Sequence, residues 1–161
     1  MFVDRGFAET SMRDIAANLD VTTAALYYHF ENKDDLLMAA VSPALDEIDQ
    51  LLVETKRTPR GSAGQQAFLS KYAEIMIRQQ AAMRLVNRDP AVSAHPGIGP
   101  RRQRIEREIS ARLSNRKGAR ARALSFAAIG AVLLPILTLD RSELVGVTDA
   151  LVQSALAVLG A

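Results

Sequence analysis

The stretch 10-TSMRDIAANLDVTTAALYYHFENK-33 decides the fold of this 161-residue chain. Ser11 is suited to cap a helix start, its hydroxyl accepting a backbone N–H that has no partner in the first turn. Met12, Ile15, Ala16 and Leu19 follow at helical spacing and give a narrow apolar stripe. Asp20-Val21 interrupts the pattern. Thr22 is a second cap, and the helix after it runs to about Phe30, with Ala25, Leu26 and Phe30 expected inside. Thr23, Ala24, Tyr27 and Tyr28 are left facing outward. Two short helices across a tight turn make a helix-turn-helix, the geometry that lays a second helix in the major groove of double-stranded DNA. Asn32 caps the next helix. Lys33 then falls at the positive end of that helix, where a cation is unfavourable unless an anion such as a phosphate docks beside it.

Outside this core the match extends both ways. Gly6-Phe7, Arg13-Asp14-Ile15-Ala16, Val21, Leu26-Tyr27-Tyr28-His29-Phe30, Asn32-Lys33 and Leu36-Leu37 stand in order and without gaps over residues 2–41. In this the chain resembles the DNA-binding domain of the tetracycline-repressor-like (TetR) transcriptional regulators. The resemblance implies a regulator, most often a repressor, that binds a palindromic operator as a dimer and answers to a small-molecule effector. It implies base-edge contacts for Arg13, Thr23, Ala24, Tyr28 and His29, and phosphate contacts for Tyr27 and Lys33. It gives Ser11 a capping and phosphate-contact role, and Thr22 opens the same reading helix. Ile15, Ala16, Leu19, Val21, Leu26 and Phe30 match core positions. Two positions depart from the pattern. Asp20 stands where most members have Gly, and Asp tolerates a left-handed backbone better than most residues. Members also carry a full helix before the Gly-Phe pair, whereas here Met1-Phe2-Val3-Asp4-Arg5 falls near that helix's end, so a shortened first helix is expected.

Charge is distributed unevenly. Residues 1–41 carry three basic side chains, Arg5, Arg13 and Lys33, against seven acidic ones. An acidic head is unusual for a DNA reader, since phosphate neutralisation supplies most non-specific affinity. It keeps an alternative open: a helical dimerisation or small-molecule-binding module whose head no longer reads DNA. Residues 101–122 carry nine basic side chains against two acidic. Such a run suits an anionic partner, or a solvated helix face laced with pairs such as Arg102–Glu106, Arg104–Glu108 and Glu108–Arg112.

The rest of the chain reads as a helical bundle, so the fold class is all-α: a helix-turn-helix domain over 1–42 and a ligand-binding and dimerisation domain over 43–161. Helices are expected over 33–55, bent or restarted at Ser42-Pro43, and over 65–79, 81–87, 101–114, 118–138 and 142–159. Residues 57–64 read as a linker and 89–100 as a Pro/Gly loop. Residues 123–139, ALSFAAIGAVLLPILTL, are apolar on nearly every side and must be buried on more than one face. Pairing 118–138 and 142–159 with the same helices of a second copy would bury them in an isologous four-helix interface. A membrane span is the rival, but Ser125, Gly130, Pro135 and Thr138 interrupt a run shorter than the roughly 20 residues that hydrocarbon requires.

Phe68, Tyr72, Met76 and Met83, with Phe126 opposite, are candidates to line an effector pocket between helices. Gln65, Gln66, Gln79, Gln80 and Asn87 are possible hydrogen-bonding partners in it. The chain has no Cys and opens with no basic-then-apolar signal, which places the expectation in the cytoplasm. No GxSxG, Gly-rich phosphate loop or HExxH is present, and His95 has no partner at ligand spacing. Neither catalytic residues, metal nor cofactor is therefore expected.

Overall fold

The computed structural model describes residues 2–58, 61–114 and 118–160. Among them every regular element is helical: α1 (Phe2–Arg5), α2 (Met12–Asn18), α3 (Thr23–His29), α4 (Lys33–Thr55), α5 (Ser62–Arg78), α6 (Gln80–Arg88), α7 (Pro90–Ser93), α8 (Gly99–Leu113), α9 (Ala119–Thr138) and α10 (Thr148–Leu159).

The local signals act where the sequence puts them. Ser11 and Asp14 form a reciprocal capping box on α2. Thr22 Oγ1 accepts from Ala25 N–H (3.0 Å), and Asn32 Oδ1 from Asp35 N–H (2.9 Å). The turn after α2 closes as a Schellman motif: Val21 N–H donates to Ala16 O and Asp20 N–H to Ala17 O, with Asp20 left-handed at φ 55°. The turn thus survives the replacement of Gly by Asp.

Four expectations change. α4 is one helix through Pro43, not two. Pro43 is exposed while Val41, Ala44, Leu45 and Ile48 around it are buried, so the apolar face carries the helix across one missing donor. The stretch 89–100 holds a further turn, α7, capped by the Asp89 carboxylate on Ala91 N–H and Val92 N–H. The last helix begins at Thr148, with turns over 141–146 before it. In the 57–64 stretch, α5 starts at Ser62, and Pro59 and Arg60 lie outside the described residues.

One large apolar core joins α4 to α10, with Leu37, Leu45, Phe68, Met76, Leu113 and Ile136 among its least accessible side chains. A separate, small core holds the helix-turn-helix: Met12, Ile15, Ala16 and Leu26. α9 is long and apolar enough to cross a membrane by length and composition. Here it packs on α5, α6, α8 and α10, and α6 caps its C-terminal end. Gln80 Nε2 donates to Ile136 O and Leu139 O (2.6 and 2.9 Å), Arg84 to Leu137 O and Leu139 O (3.0 and 2.6 Å), and Arg88 to Leu137 O (2.6 Å). Three residues spaced i, i+4, i+8 on α6 thereby satisfy the carbonyls that end α9, with two cations at the negative end of its dipole.

The basic run is mostly internal wiring. Arg102 pairs with Glu106 and Arg104 with Glu108, each at 2.9 Å, as the spacing predicts. Arg101 and Arg104 also reach across to Asp49 of α4, both at 2.8 Å. Arg112 is buried, donates to Gly64 O (3.2 Å) and lies 5.9 Å from the Phe68 ring centre. Arg116 and Lys117 lie outside the described residues.

Candidate nucleic-acid interface and effector cavity

A seven-residue helix held at one point presents most of itself to solvent. In α3 the buried residue is Leu26. Thr22, Ala24, Tyr27, Tyr28 and His29 are exposed, and Thr23 is half-buried. Tyr27 is 52 % and Tyr28 86 % accessible, unusual for aromatics with no structural use. The Tyr28 ring meets His29 edge-on, 5.2 Å between centres. Ser11 and Arg13 are exposed on α2. The Ser11 hydroxyl is committed to the capping box, and its hydrogen bonds, hydroxyl first and amide second, hold the Asp14 carboxyl below the usual carboxylate range.

The expected core of the head is smaller than its pattern. Ala25 is exposed, Phe30 half-buried, and Leu19 and Val21 are 59 % and 45 % accessible. Leu19 and Val21 flank the left-handed Asp20, where the chain reverses, and no described element packs over that side. Periodicity identified them as apolar but could not supply the surface that would cover them.

Lys33 has an internal explanation that the sequence did not offer. Its Nζ donates to Phe7 O (2.8 Å) and Ala8 O (3.3 Å) and stands 4.4 Å over the Phe7 ring. The dipole argument for a docked anion is thus met by two carbonyls of the chain itself. Phe7 N–H donates to the Asp89 carboxylate, and the Phe7 ring packs edge-on to His95 (6.4 Å) and against Phe2 (5.3 Å). The loop that enters the helix-turn-helix is therefore clasped between Lys33 of α4 and the α6–α7 elbow. No periodicity signals such a clasp, because its partners are 26 and 82 residues apart.

In the body, a cavity of about 230 Å³ opens between α4, α5, α6, α8 and α9. Tyr72, Met83, Phe126 and Asn87 line it as the sequence suggested, with Leu45, Ile48, Ile105, Ile109, Ile129 and Leu133. Phe68 and Met76 do not. Both are fully buried behind it in the core, Phe68 stacked on Tyr72 with ring centres 6.1 Å apart. Helical spacing placed all of them on inward faces but could not say which layer faces the void. Gln65, Gln79 and Gln80 are taken by Leu113 O, Glu47 and the end of α9. Arg102, Glu106, Ser110, Ser125 and Gly130, which no motif singled out, complete the wall. Tyr72 is 3 % accessible. Burial first, and the Glu106 charge second, push its phenol up, so it stays protonated.

Residues 1–40 match the family model of bacterial regulatory proteins of the tetR family. Over these residues the chain is similar to that family. The repressor KstR2 of Mycolicibacterium smegmatis is 30 % identical over 94 residues, covering 53 % of this chain and 46 % of that protein. The TetC protein of transposon Tn10 from Escherichia coli is 29 % identical over 77 residues, 48 % of this chain and 39 % of TetC. The matches thus span less than half the length of these curated relatives. Among solved structures, the ketosteroid transcriptional regulator KstR2 of Mycobacterium tuberculosis superposes with a TM-score of 0.81 at 16 % identity, over 99 % of this chain and 88 % of that one. SCO3833 of Streptomyces coelicolor A3 gives 0.79 at 19 %, over 98 % and 84 %. KstR2 and SCO3833 are transcriptional regulators, and the two solved structures share the all-helical fold of this chain.

Proposed function

We propose that this chain is a cytoplasmic, ligand-responsive transcriptional repressor that binds a palindromic operator as a homodimer, with a DNA-reading head over residues 1–42 and an effector-binding and dimerisation body over 43–161. The observation that carries the reading is α3. A helix capped by Thr22 and anchored by Leu26 turns Ala24, Tyr27, Tyr28 and His29 outward, exposed to solvent. Thr23, Ala24, Tyr28 and His29, with Arg13, are assigned to base edges. Ser11, Thr22 and Tyr27 are assigned to the backbone, and Lys33 keeps one donor for phosphate beside its two internal bonds. The dimer is supported by the exposed face of α9, where Ala123, Ala127 and Leu134 recur at helical spacing. Ala150, Ser154 and Ala157 do the same on α10. Small residues let such helices approach closely in a four-helix interface. Tyr72, Met83 and Phe126 are assigned to the effector.

Selection of duplexes from a random library by the purified chain, at moderate salt, tests this. The expected product is a palindrome with half-sites about one helical turn, roughly 34 Å, apart. The acidic head favours a second reading, a dimeric ligand-binding module whose head does not read DNA. Recovery of no preferred sequence from a folded dimer would select it.

A further inference from the structure

Resting on the effector role of the body, we propose that the cavity takes an uncharged, mainly apolar molecule that presents a hydrogen-bond acceptor, such as a ketone or ester carbonyl, to the Tyr72 hydroxyl. The wall's polar groups decide this. Asn87 Nδ2 donates to Met83 O (2.8 Å), and Ser125 Oγ lies within reach of Ala121 O and Ser110 O (3.0 and 3.3 Å). Arg102 donates to Ser93 Oγ and pairs with Glu106. Among the described residues Tyr72 Oη makes no hydrogen bond, although the residue is more than nine-tenths buried and lines the void. The hydroxyl faces the cavity without a protein partner, and a carbonyl arriving with an apolar body supplies one.

Charge on the ligand is disfavoured from both sides. The wall's cation, Arg102, is already engaged by its anion, Glu106, so a carboxylate would enter an apolar cavity without a free counter-ion. An ammonium would have to draw Glu106 away from Arg102. Size sets the scale of the body. An apolar cavity of about 150 Å³ holds benzene, so about 230 Å³ takes a ring with a short alkyl arm. Gly130 enlarges the room: a Cβ there would meet nothing within 4 Å.

Butyrophenone, n-butylbenzene and 4-phenylbutyrate share ring and arm length and differ in carbonyl and charge. Calorimetric titration of the full chain, without DNA, is expected to rank butyrophenone about tenfold above n-butylbenzene, the worth of one hydrogen bond to an otherwise unpaired group. 4-Phenylbutyrate is expected to bind more weakly than either. Tyr72→Phe should bring the first two to equal affinity while its melting temperature stays level or rises, since the lost hydroxyl has no partner. Gly130→Leu should fill the cavity and abolish binding of all three. A wild-type ratio near one, or a ratio that Tyr72→Phe leaves intact, overturns the hydroxyl assignment. Tightest binding by 4-phenylbutyrate overturns the charge assignment and would point to Arg107 and Arg122 in the groove beyond Phe126. Binding by none of the three to the folded chain overturns the cavity as a ligand site. Because no DNA is present, a failed operator selection leaves the ligand class standing and removes only the regulator.

Discussion

The head and the body are held together by different physics. The body buries a continuous apolar core drawn from seven helices, α4 to α10. The head has four buried apolar side chains of its own, Met12, Ile15, Ala16 and Leu26. It is completed by borrowing: Phe7 belongs to the body's core, and Lys33 and Asp89 grip the backbone around it. A core of that size does not fold a domain alone. The head is therefore the low-stability end of the molecule, where local opening is cheapest. Its orientation is set by Phe7 in the body's core, by Phe2 packed against both cores, and by the contacts of Lys33 and Asp89.

The sharpest attempt to break this contrast is truncation in each core. Leu45→Ala removes a fully buried side chain that also walls the cavity. It should cost about 2–5 kcal/mol of global stability, read as a lowered urea midpoint seen equally by body and head probes. Ile15→Ala should cost less, about 2 kcal/mol, and should free the amides of α2 and α3 to exchange while α5 and α9 keep their protection. Equal loss of protection in both regions after Ile15→Ala would show one cooperative unit and erase the distinction.

Lys33→Met sharpens the comparison at the clasp. It keeps an apolar stem over the Phe7 ring and removes both donors to Phe7 O and Ala8 O. About 1–2 kcal/mol is expected, appearing as faster exchange in the head alone. The same variant separates the lysine's two assignments. If Nζ also neutralises a phosphate, the salt slope of DNA binding falls by about one unit. An unchanged slope with a loosened head would leave Lys33 purely as a tether.

What the sequence disclosed divides along similar lines. Elements fixed by neighbours in the chain were readable: the caps at Ser11, Thr22 and Asn32, the left-handed turn at Asp20, the i,i+4 pairs on α8, and the helices of the bundle. Features made by distant residues were not. Nothing local to Asp89 announces Phe7, and Gln80, Arg84 and Arg88 look like a solvated face until the end of α9 lies against them. The cavity sits between these cases. Inward faces gave Tyr72, Met83, Asn87 and Phe126, but depth separated them from Phe68 and Met76. Leu19 and Val21 show the limit from the other side, since an apolar period names a face without naming what covers it.

The smallest effect tests whether the head is weak by design of its turn or only by the size of its core. Asp20 sits at φ 55°, a conformation that costs an L residue more than glycine. Its backbone bonds, Val21 N–H to Ala16 O and Asp20 N–H to Ala17 O, do not depend on the side chain. Asp20→Gly should therefore keep the Schellman turn and relieve strain, offset in part by the greater freedom of glycine in the unfolded chain. A net gain of about 0.5 kcal/mol is expected, visible as slower exchange at the end of α2 and the start of α3. It also removes one of the seven acids on the head, so DNA affinity should rise by the electrostatic share alone and lose that gain at high salt. Slower exchange without a salt-dependent gain would place the Asp20 carboxylate away from the duplex. Faster exchange would mean that the carboxylate itself supports the turn, and that the head depends on polar contacts even within its own motif.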